Sequence, residues 1–175
     1  MSGRGAVAAV VLAAGAATRF GSPKQALLLP TVLERVRRSS VDGVVVVLGA
    51  HEIETDARTV RCPEWERGPG ASLRCGLDAL PAEAEAAVVV LADGPRLAPE
   101  AIDRLIGRWR ESGEPILAAT YGGERSHPVL VARAAWPQVP DEGLRVLPAE
   151  AVACDDLGSP GDVDRPDDLS RAAES

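Results

Sequence analysis

The chain has 175 residues, a formal net charge of −7, 46% hydrophobic residues and only 3% aromatic ones. That length suits one domain, 1–175, able to bury roughly 70% of the surface its unfolded chain exposes, with a core drawn from Val, Leu, Ile and Ala. The acidic balance argues against a broad nucleic-acid or anionic-membrane surface, which needs a basic face, but leaves room for a local phosphate pocket.

In chain order, Ala6–Leu12 reads as a first strand, apolar throughout and so covered on both faces. A glycine-bearing loop, Ala13 to Lys24, follows it. Thr31–Arg38 carries Val32, Leu33 and Val36 at helical spacing, and Val44–Leu48 is a second buried strand. Ser72–Leu80 places Leu73, Leu77 and Leu80 on one helical face. Ala87–Ala92 is a third strand, running into Asp93. Pro99–Arg110 is the clearest helix, with Ile102, Leu105, Ile106 and Trp109 on one stripe and proline in its first turn. Ile116–Thr120 and Val129–Ala132 are later strands separated by a Tyr121-Gly122-Gly123 turn. Strands alternating with helices predict an α/β fold, a mostly parallel central sheet with helices on both faces.

Cys62, Cys75 and Cys154 are far apart and lack CxxC spacing. Neither a zinc site nor a disulfide framework is expected, and they read as buried small residues in a reducing, cytoplasmic compartment. The longest apolar run, Ala6 to Ala14, falls short of the ~20 residues a membrane span needs. A signal peptide is disfavoured because the run continues into a strand-to-loop phosphate motif.

That motif is Leu12-Ala13-Ala14-Gly15-Ala16-Ala17-Thr18-Arg19-Phe20-Gly21-Ser22-Pro23-Lys24. Small residues let backbone N–H groups approach an anion, and Arg19 and Lys24 supply charge for phosphate oxygens. It is neither a Walker A loop nor GxGxxG; the plainer alternative is a glycine-rich turn with two solvated cations. Asp93 falls at the carboxyl end of a central strand, where open α/β sheets bind ligands, and fits a Mg²⁺ ligand as well as a turn aspartate before Pro95. Asp162 and Asp164 alternate, so one of them faces a given side, as a second metal ligand or within a solvated acidic loop.

Taken in order, Leu12-Ala-Ala-Gly with Arg19 and Lys24, Trp65 with Gly70-Ala71-Ser72-Leu73-Arg74, Leu91-Ala-Asp-Gly-Pro95, Ser126-His-Pro-Val129 and Asp162-Val-Asp-Arg-Pro-Asp-Asp-Leu169 resemble the MobA-like nucleotidyltransferases. The nearest branch in pattern is the molybdenum cofactor cytidylyltransferases. The resemblance implies a single-domain Rossmann-like fold and Mg²⁺-dependent transfer of a nucleotide from CTP or GTP onto molybdopterin, with pyrophosphate released. It implies that Leu12, Ala13, Ala14 and Gly15 line the nucleotide, that Arg19 and Lys24 hold its phosphates, and that Gly70, Ala71 and Ser72 approach base or ribose. Asp93 would bind magnesium with Asp164, less favourably Asp162, as its partner. Ala14 is similar to the CTP-using branch.

His127 would lie beside the acceptor, as substrate-positioning group or as a structural histidine. Other acceptors, such as a sugar phosphate, and a non-catalytic delivery module for a molybdenum hydroxylase remain open. Trp65, Trp109 and Trp136 read as core or cover residues, and His51 as a loop residue. Gly94 stands where relatives often carry a larger side chain. Two junctions, Pro30–Thr31 and Gly143–Leu144, are shorter than the family pattern. A helix starting directly after Pro30 would leave Lys24 poorly anchored, so additional residues are expected there.

Overall fold

The computed structural model describes residues 5–15 and 24–160, with the side chains of Lys24 and Gln25 excepted. Its elements are β1 (Ala6–Ala13), α1 (Lys24–Arg37), β2 (Gly43–Leu48), β3 (Arg58–Arg61), α2 (Pro69–Asp78), β4 (Ala84–Leu91), α3 (Pro99–Ser112), β5 (Ile116–Tyr121), β6 (Glu124–Ala132) and β7 (Glu150–Ala153), with short 3₁₀ turns between some of them. The strands form one seven-stranded sheet in the order β3-β2-β1-β4-β6-β5-β7. β6 alone runs antiparallel to its neighbours β4 and β5; the other pairings are parallel. The expected mostly parallel α/β sheet is therefore present.

Strand geometry sends alternate side chains to opposite faces, and the core divides accordingly. Val7, Ala9, Val11 and Ala13 of β1 face a layer with Leu29, Val32 and Val36 of α1 and Ile102, Leu105 and Ile106 of α3. Val10 and Ala14 face the other layer, with Leu73 and Leu77 of α2, Ala135 and Leu144. Helices thus cover both faces. α2 approaches the sheet closely at Gly76, where a Cβ would stand 2.6 Å from Val10 Cγ1 and 2.8 Å from Val47 Cγ2.

The first helix corrects the expected Thr31–Arg38 segment. α1 starts at Lys24 and continues through Pro30. Proline inside a helix costs about 3 kcal/mol, but burying Leu28, Leu29, Val32, Leu33 and Val36 contributes about 1.5–3 kcal/mol each. Pro30 sits on the exposed side, so the packing outweighs the lost backbone bond, and the helix runs through Pro30 without a turn. At the second junction, Arg125 donates from Nη1 to the Leu147 carbonyl and from Nη2 to that of Leu144, both at 2.7 Å.

Two edge strands escaped the sequence. β3 has no buried residue and β7 only Val152, so neither shows periodicity. β7 is instead held from α3, with Arg108 paired to Glu150 at 2.7 Å and Arg104 gripping Asp156 at 2.8 and 3.0 Å. The cysteine reading is also corrected: Cys62 and Cys75 form a disulfide, Cα–Cα 5.8 Å, while Cys154 is free and buried. A separation of 13 residues carries no spacing signal; the pair meets because the residue after β3 packs against the middle of α2. Among the described residues, no helix is long and apolar enough to cross a membrane.

Filling the space under Gly76 tests the tight α2–sheet approach. Gly76→Val is expected to lower stability by roughly 2–3 kcal/mol through overpacking against Val10 and Val47, measured by urea denaturation; an unchanged midpoint would show that the helix sits farther from the sheet.

Candidate active site

The carboxyl ends of β1 and β4 define the site. Leu12 pairs with Leu91 at the last rung of that ladder, and the Ala92 N–H donates to the Leu12 carbonyl at 3.0 Å. The chain then leaves the sheet, which places Asp93 two residues beyond β4. The Ala14 carbonyl accepts from the Ala50 N–H at 3.2 Å, tying the loop after β1 to that after β2. Parallel strands on both sides of β1 thus bring three loops to one edge.

A cleft of about 790 Å³ opens there. Its walls are Leu12, Ala14 and Gly15 from β1 and its loop, Leu91 and Asp93 from β4, and Trp65, Glu66, Gly68, Pro69 and Ser72 from the approach to α2. Of the residues expected around a nucleotide, Leu12, Ala14, Gly15, Ser72 and Asp93 share this cleft. Ala13 and Ala71 are buried beneath it. Gly70 turns away: its N–H donates to the Asp141 carbonyl at 2.9 Å, and a Cβ would overlap the Pro140 carbonyl oxygen. Only glycine lets the 140–143 loop press onto the start of α2.

That loop is also held electrostatically. Asp141 accepts from Arg74 and from Arg67, the latter at 3.2 Å, and these guanidinium partners keep its carboxyl below the usual range. Arg74 Nη1 donates to the Val139 carbonyl at 2.8 Å. The sequence motif Gly70–Arg74 therefore builds the α2 end of the cleft more than it lines it. Trp65, Glu66, Gly68, Pro69 and Leu91 had no expected nucleotide role. Their signal was an exposed glutamate ahead of a Gly-Pro helix start.

A second, much smaller cavity adjoins β4 and is bounded by Val90, Leu91, Gly94, Leu97, Ser126, His127 and Pro160. Leu91 belongs to both walls, so Asp93 and Gly94 stand between the two spaces. His127 reaches it because antiparallel β6, with Val129 opposite Val89, carries its earlier residues toward the end of β4. The His127–Pro128 peptide is cis, and the Tyr121 hydroxyl donates to the His127 carbonyl at 3.2 Å. Arg96 N–H donates to the Pro160 carbonyl at 2.9 Å, and Pro160 shares the wall of this cavity with Gly94.

Arg19, Asp162 and Asp164 lie outside the described residues; Lys24 is the first residue of α1, its side chain likewise outside them. Among the described residues no group of three metal-ligating side chains occurs. Asp93 nevertheless offers a hard carboxylate oxygen, the donor that Mg²⁺ or Mn²⁺ prefers.

Burial pushes the His127 imidazole down to about 4; the Asp93 charge opposes it, and Arg125 adds a smaller downward push. His127 is thus neutral at pH 7 and able to accept as well as donate. In the unfolded chain it would titrate near 6.5, so the unfolded state binds more protons between the two values. Its contribution to stability is complete above about pH 6.5 and is lost as pH falls toward 4. His127→Gln is expected to flatten this part of a stability-versus-pH curve; equal slopes for the two proteins would place the proton elsewhere.

Comparisons with known proteins agree with this arrangement. The MobA-like NTP transferase domain matches residues 9–147. Rv0371c from Mycobacterium tuberculosis H37Rv superimposes with a TM-score of 0.81 at 28% identity, covering 98% of both chains. A structure of that protein in complex with manganese gives a TM-score of 0.74 at 26% identity, covering 98% of this chain and 99% of the other. Nicotine blue oxidoreductase of Paenarthrobacter nicotinovorans is 34% identical over 163 residues, 85% of this chain and 78% of that protein. The bifunctional protein GlmU of Rubrobacter xylanophilus is 33% identical over 120 residues, 60% of this chain; the match spans only 25% of GlmU. With the family matched from within β1 to the turn before β7, on a parallel sheet whose carboxyl edge carries the cleft, the chain belongs to the MobA-like NTP transferase family and is built as a nucleotidyltransferase domain.

Proposed function

We propose that residues 1–175 form one catalytic unit that transfers CMP from CTP to molybdopterin and releases pyrophosphate. The observation that carries the reading is Asp93, a carboxylate that lines the larger cleft while its neighbour Gly94 lines the second cavity, so that a nucleotide in the first and an acceptor in the second would meet beside it. The small residues Ala14 and Gly15 leave space for a nucleotide beside the backbone, and Arg19 and Lys24 supply charge for its phosphates. Ala14 favours CTP over GTP on the family resemblance. The neutral His127 orients the acceptor.

A divalent cation, with Mg²⁺ the natural choice, would be held by Asp93 together with Asp164 or Asp162, and the chain's departure at Pro160 beside Gly94 is consistent with that pairing. It would supply charge neutralisation at the phosphates. The acceptor's phosphate oxygen, already ionised, attacks the α-phosphorus. The bond from that phosphorus to the bridging oxygen breaks, and pyrophosphate carries away the electron pair. Lys24 and Arg19 stabilise the charge gathering on the leaving group, and no covalent protein intermediate is required. Reliance on free CTP places the reaction in the cytoplasm, where a molybdenum hydroxylase would receive the product.

A second reading, oxidoreduction, is raised by the relative named nicotine blue oxidoreductase, although the loop after β1 lacks GxGxxG. Calorimetric titration separates them. CTP should bind in the presence of Mg²⁺, with Asp93→Ala losing at least tenfold in affinity, and molybdopterin should release pyrophosphate where sugar phosphates do not. Binding of reduced nicotinamide dinucleotide without binding of CTP or GTP would favour the second reading.

A further inference from the structure

Glu66 is the acidic side chain of the cleft that the surrounding ion pairs leave out. Arg67 joins Glu64 and Asp141, and Arg74 joins Asp141. Glu66 is exposed and lines the cleft beside Trp65, with no ion-pair or hydrogen-bond partner among the described residues. A free carboxylate in a cleft that takes a triphosphate is tolerable only away from the phosphates. Asp93, the carboxylate assigned to the phosphates, comes from the β4 wall, and Glu66 comes from another, ahead of α2.

The turn that presents it is fixed from several directions. The Cys62–Cys75 bridge closes the loop that contains it. The Gly68 N–H donates to the Trp65 carbonyl at 3.3 Å, and Arg67 ties the same turn to Asp141 at 3.2 Å. Trp65 itself is half-buried, its side chain packed on the backbone at Gly49. The turn is thus held, and the carboxylate that it presents is an acceptor without a donor of its own. Cytosine presents an exocyclic amino donor at C4, and guanine an N1–H and an amino group side by side. Uracil presents a carbonyl oxygen at C4, so a carboxylate placed against the C4 substituent attracts cytosine and repels uracil, whose own donor is N3–H.

We infer that Glu66 is a specificity residue that selects an amino-bearing base, cytosine or guanine, against uracil. The inference rests on the nucleotide-binding reading of the cleft. CTP and UTP share ring size, ribose and phosphates, so their affinity ratio isolates the base edge. Wild-type protein with Mg²⁺ should bind CTP about tenfold or more tightly than UTP by titration calorimetry, the discrimination one well-made base contact provides. Glu66→Gln, whose amide both donates and accepts, should bring the ratio near one while CTP still binds. A wild-type ratio near one, or a ratio that survives Glu66→Gln, overturns the assignment and leaves nucleotide binding intact. Failure of CTP, GTP and UTP alike to bind the wild-type protein overturns both.

Discussion

The site depends on β1 being paired in parallel on both sides, to β2 and to β4. Each of those strands must leave the sheet at its carboxyl end, so the loops after Ala13, Leu48 and Leu91 emerge together at one edge. The backbone bonds from Ala50 to Ala14 and from Ala92 to Leu12 extend the pairing past the strand ends. They hold the small residues of the first loop opposite Asp93 without committing any side chain. A nucleotide site of this kind asks for backbone exposure and space, and the double pairing of β1 provides a rigid frame from which such a loop can be offered.

The remaining walls need a different solution, since the approach to α2 and the 139–143 loop lie outside the ladder. Here close contact and charge act together. The missing side chain at Gly70 admits the Pro140 carbonyl, and Arg67 and Arg74 converge on Asp141. These ion pairs are partly exposed and contribute little to stability individually. Their consequence is geometric, because they neutralise Glu64 and Asp141 around the cleft and leave Glu66 outside the network.

Asp93 and His127 come from strands of opposite direction. β6 is inserted antiparallel between β4 and β5, which brings its early residues to the same edge as the carboxyl ends of the parallel strands. The second cavity exists because of that reversal. Burial keeps the imidazole neutral despite the nearby Asp93 charge, so the acceptor side gains a hydrogen-bonding group without an additional positive charge at neutral pH.

Much of this was legible in the residues. The continuous Val- and Ala-rich runs of β1, β2 and β4 identify strands buried on both faces, the apolar stripe of α3 identifies its packed side, and Gly15 and Asp93 stand where those strands end. These are local signals, because a strand's burial and a helix's stripe are written within a few residues. The edge strands β3 and β7, the passage of α1 through Pro30, the Cys62–Cys75 bridge and the place of Glu66 in the cleft were decided only by the tertiary structure. Each depends on a partner distant in sequence: an ion pair from α3, a sheet face that rewards the helix, a thiol on the neighbouring element, or an ion-pair network that excludes one carboxylate. Such partners leave no periodicity, since the energy that selects them arises only once the sheet has brought them into contact.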